Sequence, residues 1–494
     1  MTLALLVLAL LPLVSFVLIL PFVWPHRSPV ALALIVWQVG IAGLFVALAP
    51  GWWSGLYAAS AMYQIINLLR VRRGAIQVDF LRRASLRAIK YLTVAQSVFA
   101  VVAIFQQNSH LTLKQMAIVV VTAQLLGALM MALSTTKHLK STKTLQATQH
   151  YADKDLPSIS VLIPARNETE ELHACLDALV ASDYPKLEIL VLDDCSQERR
   201  TPEIIRGYAN KGVRFVAGKA PDESWLAKNF AYQQLVEASS GDLLVFCGVD
   251  LTMAPGALRE LVTTLLEKEK TMLSVLPHNQ PPDDWRSYLL QPVRYGWELS
   301  LPRRPFNRPP VLSSCFIIDR TALEQAGGFK AACRSVSPES YLARSSVRGD
   351  KYSFVRSNLL VSHKNLAEQR STGLRLRYPQ LHRRIELVAF LSVIELLVLV
   401  LPLPLSLIIA WHGAWLLAVA GLMSTALLMF VALQITAVMY GRFRPLAVAL
   451  APLLPLVDLW LLNKSMLAYE FGRVEWKDRN ICLPVMRQET TTAN

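Results

Sequence analysis

Apolar residues in this chain are gathered at its two ends, and that segregation limits its possible architectures more than any other feature. Five apolar runs precede position 135, Met1–Trp24, Pro29–Ala49, Gly51–Leu69, Tyr91–Phe105 and Gln115–Leu133. Three more follow position 385, at Glu386–Trp411, Ala414–Tyr440 and Leu446–Leu462. Between them lies a stretch of ordinary soluble composition. With 53% hydrophobic residues and a mean hydropathy of +0.36, the 494-residue chain is too apolar for a soluble protein. It reads as a multi-pass integral membrane protein carrying one globular domain.

The first run lacks a basic leader, and Pro25-His-Arg-Ser is a poor cleavage site, so a retained helix is expected. Trp52, Trp53 and Tyr57 form an interfacial belt. Basic residues cluster at 70–90 and again at Lys137, Lys140, Lys143 and Lys154, which puts both stretches and the globular domain in the cytoplasm, in a plasma or inner membrane. The same residues could form an anionic-lipid site. Because the net charge of +14 lies largely beside apolar runs, membrane topology explains it and nucleic-acid binding is not expected. The organisation is a transmembrane region at 1–135, a cytoplasmic domain at 155–370, a basic segment at 371–385 lying along the membrane surface, a second transmembrane region at 386–465 and a tail at 466–494. Three spans after the domain would leave the tail outside, whereas Arg473, Lys477 and Arg479 favour the inside. Pro402-Leu-Pro404 makes the first of the three a candidate re-entrant segment. The six cysteines (Cys175, Cys195, Cys247, Cys315, Cys333 and Cys482) form no metal-ligand pattern and are expected to be reduced thiols.

Within the domain, Ile159-Ser-Val-Leu-Ile163 and Leu187-Glu-Ile-Leu-Val-Leu192 are strand-like runs. Leu172, Cys175, Leu176 and Leu179 between them mark one face of a helix. This β-α-β unit predicts parallel strands, and sheets of that kind bind ligands at the strands' carboxyl ends. The polar words there are Pro164, Ala165, Arg166, Asn167 and Glu168 after the first strand, and Asp193 and Asp194 after the second. The two aspartates could hold a nucleoside or be ordinary surface carboxylates. A third run, Leu243–Cys247, ends at Gly248-Val-Asp250, where Asp250 could bind a hard divalent cation, Mg²⁺ or Mn²⁺, or cap the turn before Pro255. Lys228 could offset phosphate charge or be solvated. Glu339 could be a general base, or a first-turn acid favoured by the helix dipole.

As a set, these residues resemble the family 2 glycosyltransferases, nearest the membrane-bound branch of hopene-associated, carotenoid and ceramide glycosyltransferases. The resemblance rests on Ile163-Pro-Ala-Arg-Asn-Glu168, Val191-Leu-Asp-Asp194, Trp225-Leu-Ala-Lys-Asn-Phe-Ala231, Ser313-Ser-Cys-Phe-Ile-Ile-Asp-Arg320 with Ala326-Gly-Gly-Phe329, Pro338-Glu-Ser-Tyr-Leu-Ala-Arg344 and Gly472-Arg-Val-Glu-Trp-Lys-Asp-Arg479. It covers roughly 155–370 and the C-terminal bundle. It implies a Rossmann-like GT-A domain inserted between two transmembrane bundles. It also implies that Asp194 contacts the nucleotide, Asp250 binds the divalent metal, and Glu339 deprotonates the acceptor hydroxyl in one inverting displacement. The resemblance implies a small-residue acceptor turn at Ser313, Ser314 and Cys315.

The chain departs from the family pattern where Gly248 replaces the first acid of Asp-x-Asp and Pro338 the first of the later acidic pair. The Gln-x-x-Arg-Trp box of processive synthases is missing. The function expected is transfer of a single sugar from a nucleotide-diphosphate sugar to a membrane lipid or lipid-linked acceptor. A processive polysaccharide synthase and a lapsed, scaffold-like relative are the alternatives. The aromatic and Arg-rich stretch 288–310, with Trp297, could be the acceptor's entrance or a packed cover for the sheet, and Arg375 and Arg377 could meet the acceptor at the membrane surface. Glu395 and Asp458 lie in apolar runs and are either functional or near an interface.

Overall fold

The computed structural model describes residues 11–19, 26–48, 51–72, 89, 92–98, 100, 113–142, 144–145, 151–222, 224–281, 284–300, 309–347, 349–381, 383–441, 444–477 and 479–482. The expected basic loop over 73–88, the loop 106–112, and residues 1–10, 301–308, 382 and 483–494 lie outside the described residues. The N-terminal helices are α1 (Arg27–Leu48), α2 (Trp52–Arg72) and α3 (Leu113–Ser141). Among the described residues, three helices are long and apolar enough to cross a membrane: Ser28–Leu48, Val120–Ser141 and Trp415–Tyr440. The first expected span is described over Leu11–Ile19, wound as 3-10 helix.

The middle of the chain folds around one mixed sheet. In chain order its elements are β1 (Ile159–Ala165), α4 (Glu170–Val180), β2 (Leu187–Asp193), β3 (Val213–Ala217), α5 (Ala227–Ala238), β4 (Leu243–Cys247), β5 (Leu251–Met253), α6 (Ala257–Glu267), β6 (Met272–Asn279), α7 (Ser287–Leu299), β7 (Cys315–Asp319), α8 (Pro338–Val347) and β8 (Tyr352–Ser362). The strand order is β3-β2-β1-β4-β7-β6-β8-β5. β1 pairs in parallel with β2, from Ile159 opposite Leu187 to Ala165 opposite Asp193, and with β4 on its other side. The expected parallel unit is therefore present, and the ends of β1, β2 and β4 open on one edge of the sheet. β7 enters antiparallel to β4, placing Cys315 opposite Cys247.

Alternation along the strands feeds two cores. One face, with Val161, Ile163, Val191 and Val245, packs on α4 and α6. The other, with Leu162, Leu190, Phe246 and Phe316, packs on Tyr232 of α5, Tyr295 of α7 and Phe329. The Phe246 and Phe316 rings stack 4.7 Å apart, and Tyr232 meets Phe246 edge-on at 4.9 Å.

The C-terminal part continues through α9 (Leu366–Gln380), α10 (Ile385–Ile394), a π-helical turn (Glu395–Val400), α11 (Pro402–Trp411), α12 (Trp415–Tyr440), α13 (Leu454–Glu470) and the short strands β9 (Glu475–Trp476) and β10 (Arg479–Asn480). The chain bends by 48° between Val400 and Pro402, at the expected Pro402 break. α12 then returns, and its Val431, Ile435, Met439 and Tyr440 complete the second core of the sheet.

One expectation is corrected here. Leu446–Leu462 is not one continuous helix. It is a short helix (Pro445–Ala449), a 3-10 turn (Ala451–Leu453) and the start of α13, because Pro452 and Pro455 supply no backbone donor. In the basic segment after position 371, α9 packs on α13, so closely that a Cβ at Gly373 would stand 2.8 Å from a methyl of Leu461. The described part of the tail lies against the domain, since Lys477 pairs with Glu168 and Arg479 with Asp194. Phe246→Ala should lower stability by about 3–5 kcal/mol, measured by thermal unfolding in detergent; a loss below about 1 kcal/mol would mean that the aromatic stack is not structural.

Candidate functional site

The ends of β1 and β2 are held together by their own polar words. Asn167 adopts a left-handed φ of 50°, its N–H donates to Ser196 Oγ at 3.0 Å, and its side-chain oxygen accepts the Gln197 N–H at 2.9 Å. Asp193 accepts the Ser196 N–H at 3.2 Å. Pro164 and Ala165 are the last strand residues of β1. The expected nucleotide contact, Asp194, is 2% exposed, and both of its carboxylate oxygens accept from Arg479 Nη1, at 2.8 and 2.7 Å. Burial pushes its carboxyl above the usual range against the opposing pull of Arg479. Arg166 donates to the Asp194 carbonyl at 2.8 Å and to the Lys477 carbonyl at 3.0 Å, and Lys477 pairs with Glu168. Thus Arg166, Glu168 and Asp194 clip the β9–β10 hairpin across the strand ends.

Asp250 follows β4, and its carboxylate lies 3.1 Å from Lys364 Nζ. Burial pushes the Asp250 carboxyl up, but Lys364 and Arg294 outweigh it and hold the group below the usual range. Glu339, in the first turn of α8, is 3% exposed, and its Oε2 has no hydrogen-bond partner. Lys228, at the start of α5, is pushed down to about 8 by burial, with Glu339 and Asp250 pulling the other way and Arg375 and Lys364 adding to the fall. Burial likewise lowers Lys364 and Arg375.

Two neighbouring cavities share lining residues here. The larger, about 290 Å³, has Trp225, Lys228, Ser313, Arg375, Trp476 and Arg479 among its lining residues. The smaller holds Arg294, Glu298, Ser313, Glu339 and Leu376. Ser313 and Leu376 border both. The structure therefore brings Lys228, Ser313, Glu339 and Arg375 to the walls of these two cavities, with Asp194 behind Arg479; Asp250, paired with Lys364, lines neither.

Other expected residues are placed differently. Ser314 is buried and its carbonyl accepts the Gly248 N–H at 3.0 Å, while Cys315 is a core residue of β7 whose thiol burial pushes up to about 12. All six cysteines are free. Trp297 and Arg377 do not face lipid: Trp297 Nε1 donates to Asp458 at 2.7 Å, and Arg377, 4% exposed, pairs with Asp458 and lies 3.7 Å from Glu395. The two acids of the apolar runs thus share one buried cation.

At Asp250 a single carboxylate is paired with a cation, Lys364. Among the described residues no group of three His, Cys, Asp or Glu is arranged to hold a metal. A Cβ on Gly248 would stand 2.6 Å from Asp250 Oδ1; Lys364 Nζ lies 3.1 Å from Oδ2, which is buried and accepts no hydrogen bond.

Sequence reasoning did not single out Lys364 or Arg479. Lys364 stands just past a strand end, as Asp194 and Asp250 do, and that position was its signal. Arg479 closed a motif that had already been singled out, but its partner lies 285 residues away.

Residues 160–327 match the family model Glycosyl transferase family 2. The chain is 36% identical over 121 residues to the probable glycosyltransferase YdaM of Bacillus subtilis, covering 24% of this chain and 28% of that one. It is 30% identical over 124 residues to a 4,4'-diaponeurosporenoate glycosyltransferase of Staphylococcus haemolyticus, covering 25% and 32%. The chain therefore spans about a third of the length of the curated relatives it matches. A solved mannosyltransferase, PcManGT from Pyrobaculum calidifontis, in complex with GDP-Man and Mn²⁺, is 16% identical with a TM-score of 0.40, covering 74% of this chain and 100% of that one.

Arg479→Ala leaves Asp194 buried without its cation and should cost about 3–5 kcal/mol. Adding Asp194→Asn should recover most of that loss. A thermal-unfolding double-mutant cycle reads both, and simple additivity would show that the pair is not coupled.

Proposed function

We propose that the chain, whose residues 160–327 match the model Glycosyl transferase family 2, transfers one sugar from a nucleoside-diphosphate sugar to a hydroxyl of a membrane lipid, with inversion at the anomeric carbon. The observation that carries this reading is the placement of Glu339. It is a buried carboxylate with an unpartnered oxygen, lining a cleft that also holds the cations a diphosphate needs. Glu339 takes the acceptor's proton, the acceptor oxygen forms its bond to the anomeric carbon, and the bond from that carbon to the diphosphate oxygen breaks on the opposite side. Lys228 and Arg375 face the negative charge that grows on the departing diphosphate. The nucleoside lies in the larger cavity between Trp225 and Trp476. Asp193 and Asp194 shape that end, with Asp194 acting through Arg479.

A lipid acceptor is supported by an apolar groove of about 500 Å³ between α7, α9 and α13, lined by Leu289, Leu290, Leu456, Val457 and Trp460 with Arg286 and Arg370 at its edge. Arg370 and Lys464 stand over the half-exposed Trp460 ring, at 5.8 and 4.7 Å. This arrangement suits acyl chains below and polar headgroups above. The apolar helices at both ends support a domain anchored at the bilayer, and the basic stretches beside them support the cytoplasmic side.

Glu339→Gln should reduce sugar transfer by about 10²–10⁴-fold while leaving nucleotide affinity within a few-fold. Mass spectrometry of lipid extracts incubated with nucleotide sugars reads the product. Long polymers would favour a processive synthase, and binding without any transfer would favour a scaffold. The pH dependence follows from Lys228. Phosphate binds its charged form, so affinity is full below the free group's value and falls as pH rises through about 8, by roughly tenfold between pH 7 and 9. Isothermal titration with a nucleoside diphosphate over that range tests it, and a flat profile would remove Lys228 from the diphosphate site.

A further inference from the structure

Resting on the donor reading above, we propose that the donor's diphosphate is neutralised by Lys228, Arg294, Lys364 and Arg375, and that the site needs no resident divalent ion. These cations come from four separate places: α5, α7, the turn after β8, and α9. Lys228 and Arg375 line the larger cavity, Arg294 the smaller one that shares Ser313 and Leu376 with it, and Lys364 lines neither but pairs with Asp250. Asp250 and Glu339 are the carboxylates they face. Two further acids stand nearby and keep their charge: Glu298 accepts the Val311 N–H at 3.0 Å, and Glu368 the Asn365 N–H at 3.2 Å.

Among the described residues three of the four cations have no acid within ion-pair distance, an arrangement that lacks an anion, and only Lys364 makes an ion pair. Lys228, Arg294 and Arg375 rest instead over aromatic rings, those of Tyr232, Tyr295 and Trp476, at 5.2, 5.4 and 5.3 Å. Arg294 Nε is buried with no hydrogen-bond partner. Unpaired positive charge in a half-buried cleft is costly unless a ligand completes it. A sugar-linked diphosphate, with one negative charge on each phosphoryl group, does so. A divalent ion beside Asp250 would add positive charge near those unpaired cations, and it would have to displace Lys364. Asp250 is then a positioning residue: it holds the Lys364 ammonium where a metal would otherwise sit.

The two readings give opposite signs at Asp250. If a metal carries the diphosphate, Asp250→Asn removes its ligand and weakens binding. If the cations carry it, the same change frees Lys364 and tightens binding. The test uses the full chain in detergent, with UDP and GDP as probes, in EDTA or in Mn²⁺, read by calorimetry and thermal shift. Expected are affinities within about threefold between EDTA and Mn²⁺, tighter binding by Asp250→Asn, and binding weaker by about tenfold or more in Lys364→Met and Arg375→Met but not in Lys364→Arg. The wild-type comparison needs no variant, and ligand-free melting points identify variants that do not fold. Binding that disappears in EDTA and returns with Mn²⁺, or that Asp250→Asn weakens, overturns the proposal and leaves the donor reading standing. Failure of both nucleotides to bind under either condition overturns both.

Discussion

One face of the central sheet is finished by a helix that, by composition, belongs in a bilayer. Val431, Ile435, Met439 and Tyr440 of α12 pack into the same core as Phe246, Phe316 and Tyr295. A sheet exposes apolar side chains on both faces when its strands are nearly continuous hydrophobic runs, and each face must be covered. α4 and α6 cover one face from within the domain, whereas the other takes part of its cover from beyond residue 400. The α/β domain and the C-terminal helices are therefore one packed unit. Tyr440 reinforces the join by donating its hydroxyl to Gln291 of α7.

That shared core also sets the position of the charged residues. α7 lies between the sheet and α12, and it carries Arg294 into the cleft on one side and Trp297 to Asp458 on the other. α9 lies on α13, so that Arg375 and Arg377, two residues apart, serve different ends: Arg375 lines the cleft, while Arg377 is locked between Asp458 and Glu395. Each of these charges is removed from bulk water, and most are matched by a partner from a distant part of the chain. The cleft is the exception. Among the described residues its Lys228, Arg294 and Arg375 have no carboxylate within ion-pair distance, and that is the ground for reading it as an anion site.

The C-terminal hairpin adds a further connection. Lys477 and Arg479 reach back to Glu168 and Asp194, with Arg166 and Lys477 exchanging hydrogen bonds to each other's carbonyls at 3.0 and 2.9 Å. The strand ends, which parallel sheets commonly leave open for ligands, are here partly roofed by the end of the described chain. Trp476 forms one wall of the larger cavity.

Local pattern was enough to reveal the parallel unit of β1, α4 and β2, the acids past the strand ends, the break at Pro402 and the free thiols. Each depends on neighbours in sequence: alternation, the period of a helix, or the missing donor of a proline. The residues past the strand ends were legible because a strand's end is a local event, and Glu339 because it opens a helical pattern. The partners of those residues were not legible. Nothing near Asp250 in the sequence points to Lys364, and nothing near Asp194 points to Arg479. Arg377 reads as a surface cation in its basic segment, yet it is buried between two acids of separate apolar runs. Pairing of buried charge is settled by which elements the shared core brings together, so the sequence alone determined where chemistry could occur, and only the tertiary structure decided which charges meet there.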